Sequence, residues 1–273
     1  MSANVSAAEM LATVERSPQA VAVHDRDAWV GLFAPDGRVE DPVGSRPHIG
    51  RVAIERFYDT FIGPNGIAFR VEHDVVCGST VYRDLSIETT MSTGVTLRVP
   101  MHLRYDLEQV GQHWRIGRLY AYWELPVMVG QLLTAGARGL GAAAKLTPQL
   151  LGNQGIGGAM GFARGFIRVG PAGKRAAVGM LEAAARGDVA GVRAVLSPDA
   201  VVRWPADAPV GHAEFVNRVR GLEISKPIAA GRFVTVSVRT AGERGIAELE
   251  VVGRRITAVR GFVGEIAGRG AGS

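Results

Sequence analysis

Leu32-Phe33-Ala34-Pro35-Asp36-Gly37-Arg38-Val39-Glu40-Asp41-Pro42 comes back 163 positions later as Val195-Leu196-Ser197-Pro198-Asp199-Ala200-Val201-Val202-Arg203-Trp204-Pro205. Each copy has an apolar start, a Pro-Asp pair and a closing proline. The flanks keep the same order. A helical segment precedes each copy, and a glycine (Gly50, Gly211) opens a second helical segment after it. Each half then ends in an alternating strand, Arg115-Ile116 to Trp123 in the first and Arg255-Ile256 to Val263 in the second. Self-similarity at a fixed offset marks a structural unit used twice. A length of 273 residues suits two ordinary domains.

Within the first half, Ala20, Val23, Trp29, Val30 and Phe33 recur at helical spacing. The stretches Ala68–Val76, Thr80–Ser92, Val95–Leu107 and Trp114–Trp123 are rich in Val, Ile, Thr and aromatic residues, with Gly or polar turns between them, and are predicted strands. Helices followed by a run of strands give the α+β class, with a curved antiparallel sheet wrapped round helices. The predicted domains are 1–125 and a shorter 174–273, joined by a helical linker over 126–173.

That linker differs in composition from both flanks. From Leu125 to Gly173 there are 12 glycines, no acidic residue, and four charges at Arg138, Lys145, Arg164 and Arg168. Leu146 to Ala163 is 18 residues without charge, yet Pro148, Gln149, Asn153, Gln154 and five glycines argue against a spanning helix. Two short apolar helices meeting near Pro148 are expected, packed on both domains. Cations beside an apolar segment leave a peripheral membrane contact as the alternative.

Composition narrows the function classes. An apolar share of 47% with 21% charge describes a globular chain. The net charge of +5 comes without a basic run or an RNA-binding aromatic signature, so nucleic acid is not an expected partner. One cysteine, Cys77, excludes an internal disulfide and any multi-cysteine metal site. His24, His48, His73, His113 and His212 lack ligand spacing, so no metal is expected. Met1 to Glu15 contain Glu9 and Glu15 and no long apolar core, which makes the cytoplasm the expected compartment.

The segment that carries chemistry is Val39-Glu40-Asp41-Pro42-Val43-Gly44-Ser45, followed by Gly50 and Ile54-Glu55-Arg56-Phe57-Tyr58. A residue before proline is pushed out of the helical region, so Asp41 ends an extended stretch. Between Val39 and Val43 its carboxylate can face an apolar pocket or open an Asp-Pro turn. Over about residues 10 to 125 this pattern, with Ala121-Tyr122-Trp123 at the far end, resembles the ketosteroid isomerase family. That family lies within the SnoaL-like and nuclear-transport-factor-like superfamily.

The resemblance implies cone-shaped domains, no cofactor, and an apolar ligand of steroid or polyketide type. It implies Asp41 as the base that shuttles a proton between two carbons of a 3-oxo-Δ5-steroid. Tyr58 matches a family tyrosine that supports the oxyanion tyrosine from behind, and is a second catalytic candidate here if it reaches the pocket rather than capping its wall. The ligand would lie among Ser17, Trp29, Phe33, Phe57, Met101 and Trp123. Sheet-to-sheet pairing in the family implies a pseudo-dimer within one chain, and leaves a further homodimer open. The sequence departs from the family where a tyrosine and a protonated aspartic acid hold the enolate oxygen. Ser17 stands at the tyrosine position, and Met101 or, with a one-residue slip, His102 at the acid position. Strand alternation lets only one of those two neighbours face the pocket.

The second half carries Trp204 where the first has Asp41 and Val219 where it has Tyr58, and its sheet region, Arg232 to Val263, reads about twenty residues shorter. An indole cannot act as a base, so this copy is expected to be degenerate. Three readings follow for the first half: a proton-transfer enzyme, an epoxide hydrolase or cyclase of a polyketide pathway, and a non-catalytic sterol- or lipid-binding protein. Adjacent Glu40 and Asp41 should diverge on an extended segment, which weighs against the second.

Overall fold

The computed structural model describes residues 2–91, 94–134, 169–240 and 242–265. The linker prediction for 135–168, including the bend at Pro148, lies outside the described residues. Among the described residues, no helix is long and apolar enough to cross a membrane. The chain divides into two compact units, one built chiefly from residues before 135 and the other chiefly from residues after 168.

In the first unit, helix α1 (Ser2–Ala22) buries Met10, Thr13, Val14, Ser17, Ala20 and Val21. That spacing of three and four is one face of a helix, and it fixes Ser17 on the inner side. Pro18 lies inside α1, where it removes one backbone donor without ending the helix. Asp25 caps α2 (Arg26–Val30), its Oδ1 accepting the Ala28 N–H at 2.9 Å. Val23, one of the apolar residues at helical spacing, falls in the turn between α1 and α2 and is 73% exposed.

Strands β1 (Phe33–Glu40), β2 (His48–Ile49), β3 (Gly66–Cys77), β4 (Thr80–Thr90), β5 (Thr96–Val110) and β6 (His113–Tyr122) form a six-stranded sheet in the order β2-β1-β6-β5-β4-β3. The last four match the predicted strands. β1 was not predicted, because Pro35-Asp36-Gly37 reads as a turn. The structure absorbs those residues as a register shift between Phe33 and Arg38, beside the parallel partner β6. β4 pairs antiparallel with β5, and β5 with β6. Helix α3 (Arg51–Phe57) runs into a π-helical turn (Tyr58–Ile62), and α4 (Leu125–Thr134) follows the last strand.

The second unit repeats this plan. Helices α5 (Pro171–Ala185), α6 (Val189–Val195) and α7 (His212–Arg218) accompany strands β7 (Leu196–Arg203), β8 (Glu223–Ala230), β9 (Phe233–Arg239), β10 (Glu243–Val252) and β11 (Arg255–Glu265). The sheet order is β7-β11-β10-β9-β8, with β7 parallel to β11. β8 was missed in the sequence, since Pro227 interrupts its pattern. As the outer strand of the sheet it can lack a ladder donor. The sheet shortfall against the first unit is correspondingly smaller than twenty residues.

Candidate functional site

Asp41 directly follows β1, and the Asp41–Pro42 bond is cis. One residue beyond the proline, the Val43 N–H donates to the Ala121 carbonyl of β6 at 2.9 Å. This ties the loop to the last strand and brings Asp41 to Trp123, whose Nε1–H donates to Oδ1 at 2.6 Å. The neighbouring carboxylate turns elsewhere. Glu40 accepts the Gly44 N–H at 2.9 Å and Arg38 Nη2 at 2.8 Å, closing the loop on itself. The divergence expected of Glu40 and Asp41 is what the strand geometry produces.

The half-buried Asp41 carboxylate lines a cavity of about 170 Å³. Ser17 and Val21 come from α1, Trp29 from α2, Phe57, Phe61 and Ile62 from α3 and the π turn, and Met128 and Leu132 from α4. β5 supplies every second residue, Leu97, Val99, Met101, Leu103 and Tyr105. Among the described residues that line it, Asp41 is the one carboxylate. Burial against this apolar wall pushes the Asp41 carboxyl up from 3.8 to about 6, with the Trp123 indole N–H acting the other way.

Of the site residues expected from the sequence, Ser17, Trp29, Asp41, Phe57, Met101 and Trp123 meet at this cavity. Phe33 and Tyr58 do not line it. Both pack on Trp29, with ring centroids 4.9 Å and 5.6 Å away, and Trp29 takes the place at the wall. The Tyr58 hydroxyl is buried with no hydrogen-bond partner among the described residues. The choice at the acid position falls to Met101. His102 is fully buried on the opposite face of β5, its Nε2 3.5 Å from Asp84 Oδ1.

Tyr105 is absent from the lining expected from the sequence, although the alternation that turns Met101 inward turns Tyr105 inward as well. Its hydroxyl shares a hydrogen bond with the Ser17 side chain, and Ser17 Oγ accepts Trp29 Nε1–H at 3.0 Å. Burial raises the Tyr105 phenol to about 12, opposed by the Arg83 guanidinium and the Ser17 hydrogen bond. Arg83 is 4% exposed and is held by Asp74 through two contacts of 2.7 and 2.9 Å. Met128 and Leu132 also line the cavity, and the sequence conceals them because the composition of α4 reads as the start of a linker. Gln131 clips that helix to β5, accepting the Arg98 N–H and donating to the Arg98 carbonyl.

A two-unit α+β chain with a carboxylate at the pre-proline position is matched by the SnoaL-like domain family at residues 14–116 and again at 177–271. The chain belongs to the SnoaL-like domain family. Among curated relatives of this SnoaL-like protein, the steroid Δ-isomerase of Nocardioides simplex is 46% identical over 56 residues, which is 20% of this chain. The chain thus spans 46% of that relative's length. A Δ5-3-ketosteroid isomerase from Mycobacterium sp. is similar in structure at 29% identity, covering 43% of this chain and 95% of that one with a TM-score of 0.40. A Mycobacterium tuberculosis protein in complex with estradiol-17β-hemisuccinate is similar at 25% identity, with the same coverage and TM-score.

Proposed function

We propose that the cavity of the first unit moves a proton between two carbons of a flat apolar ketone of the 3-oxo-Δ5-steroid kind, with Asp41 as the base. The ionised carboxylate removes a proton from the carbon between the carbonyl and the double bond. The electron pair left behind delocalises into the carbonyl oxygen as a dienolate. The carboxylic acid so formed returns the proton to the far end of the dienolate, and the double bond becomes conjugated. Nothing is consumed.

The observation that carries this reading is a single carboxylate in an apolar cavity, titrating near 6. A base of that strength is ionised at neutral pH and still holds a proton well enough to return it. The identity to the Nocardioides simplex steroid Δ-isomerase supports the same ligand class. The test follows the absorbance of the conjugated product with a 3-oxo-Δ5-steroid. Wild type should turn over with kcat/KM rising through about pH 6, and Asp41→Asn should lose about two to four decades. Equal rates in the two proteins would sink the reading.

A second reading, ligand binding without turnover, is favoured by Met101, which brings a thioether to the position where the family places an acid. Saturable binding of a fluorescent sterol analogue with no Asp41-dependent turnover would select it.

A further inference from the structure

Trp29, Ser17 and Tyr105 carry three polar hydrogens between them, one on an indole and two on hydroxyls. The indole N–H goes to Ser17 Oγ at 3.0 Å. One further hydrogen bond joins Ser17 to Tyr105. Two bonds use two hydrogens, and one hydroxyl hydrogen of the Ser17–Tyr105 pair is left over. Both residues line the cavity, and they are only 3% and 1% exposed. The other neutral polar residues on the wall are Asn65 and Thr89, both half-buried, and Asn65 already donates to the Phe61 carbonyl at 2.9 Å.

Behind Tyr105 stands a fixed positive charge. Val81 of β4 is the direct partner of Tyr105, and Arg83 is two residues further on the same face. Diagonal neighbours at that spacing are within reach of a long side chain. Arg83 is held by Asp74, and its Nη1 is buried without a hydrogen-bond partner among the described residues. A cation near a phenol makes its hydroxyl a stronger donor. A buried donor facing hydrocarbon wastes a hydrogen bond, whereas a ligand oxygen there would complete it.

We propose that Tyr105, positioned by Ser17 and backed by Arg83, donates a hydrogen bond to the oxygen of the bound ligand, and so selects keto- or hydroxy-bearing apolar molecules over pure hydrocarbons. In the reaction this rests on, that oxygen is the one on which the dienolate charge develops. Tyr105 thereby takes the task left open by Ser17 and Met101. Tyr105 touches the ligand; Ser17 and Arg83 are positioning residues.

The test measures binding to the full chain of two steroids that differ only in ring A, one a 3-ketone and one fully hydrocarbon. Wild type should prefer the ketone by about threefold to tenfold. Tyr105→Phe should remove the preference and leave affinity for the hydrocarbon within about twofold, since the apolar enclosure is unchanged. Infrared spectra of the bound ketone should show a lowered carbonyl frequency on wild type, partly reversed in Ser17→Ala, which keeps the test decisive if Tyr105→Phe does not fold. Binding of neither steroid, equal binding to wild type, an undiminished preference in Tyr105→Phe, parallel losses for both steroids or an unshifted carbonyl would each overturn the proposal. Asp41→Asn should keep the ketone preference. Preference without any turnover would therefore remove Asp41 as base and leave Tyr105 standing, whereas Asp41-dependent turnover without preference would do the reverse.

Discussion

The two units use the same local devices around opposite contents. Asp25 and Asp188 each cap a short helix, accepting the N–H of Ala28 and of Gly191. Arg115 reaches back to the Gly31 carbonyl as Arg255 does to that of Ala194. Phe33 pairs with Ile116 as Leu196 pairs with Ile256, and both closing prolines follow a cis bond. In the first unit the loop supplies a carboxylate and the last strand supplies the indole of Trp123. In the second the loop itself supplies an indole, Trp204, and the strand position of Trp123 is Val263. Gly261 makes this fit, because a Cβ there would lie 2.3 Å from the Trp204 ring. The indole is 3% exposed and packs 5.5 Å from Phe215. Moving one aromatic group from strand to loop turns a cavity wall into core.

The comparison breaks first at Trp204. Trp204→Ala should cost about 3–5 kcal/mol in chemical denaturation, as deletion of a buried aromatic does, whereas Asp41→Ala should cost far less. Equal losses would mean that position 204 is not a packing site. Next comes pH. The folded Asp41 carboxyl titrates near 6 and its ordinary value is 3.8, so the folded state holds this proton more tightly than the unfolded chain. Its contribution is fully present below pH ~4, is lost as pH rises, and is gone above pH ~6. Asp41→Asn should therefore be more stable than wild type at pH 8, by up to about 3 kcal/mol, with the gap closing on acidification. A gap that widens in acid would mean the carboxylate is stabilised rather than desolvated. The two caps come third. Asp25→Ala and Asp188→Ala should each lower stability by about 1 kcal/mol, and clearly unequal losses would show that the shared geometry hides different contexts. Smallest is the turn before the first cap. His24 holds φ at 54°, where the second unit places Gly187 at 82°. His24→Gly should raise the melting temperature slightly, worth below about 1 kcal/mol; a loss would mean that the imidazole has a role in the turn.

The sequence made the repeat and four of the first unit's strands legible because alternation and turn residues agree there. It hid β1, β7 and β8, where a proline interrupts the apolar pattern and the pairing accommodates it at a register shift (β1, β7) or on the outer strand (β8). At the site, Asp41, Ser17, Met101 and Trp123 could be placed through the resemblance that the loop motif and the last strand carry, with strand alternation leaving Met101 or His102 as the inward neighbour. Phe33 and Tyr58 could not, because which of several clustered aromatic rings reaches a wall depends on packing against Trp29 rather than on spacing. Val23 misled for a related reason: helical periodicity does not announce that the helix has just ended. Tyr105 needed only the alternation already used for Met101, carried two steps further along β5. The contribution of α4 was concealed by its small, apolar composition, which reads equally as linker and as wall.

The partners in the cavity are far apart in the order of synthesis. Asp41 and the indole that meets it are separated by 82 positions, and β1 lies parallel to β6, the last strand of the unit in chain order. At roughly 5–20 residues per second, the ribosome delivers Trp123 about 4–16 seconds after Asp41. Until then the loop has no β6 carbonyl to hold Val43, and the β1 edge that β6 will cover is bare. The first unit is thus a chain that must wait for its own last strand, and the acid at its centre is among the last groups to find their surroundings.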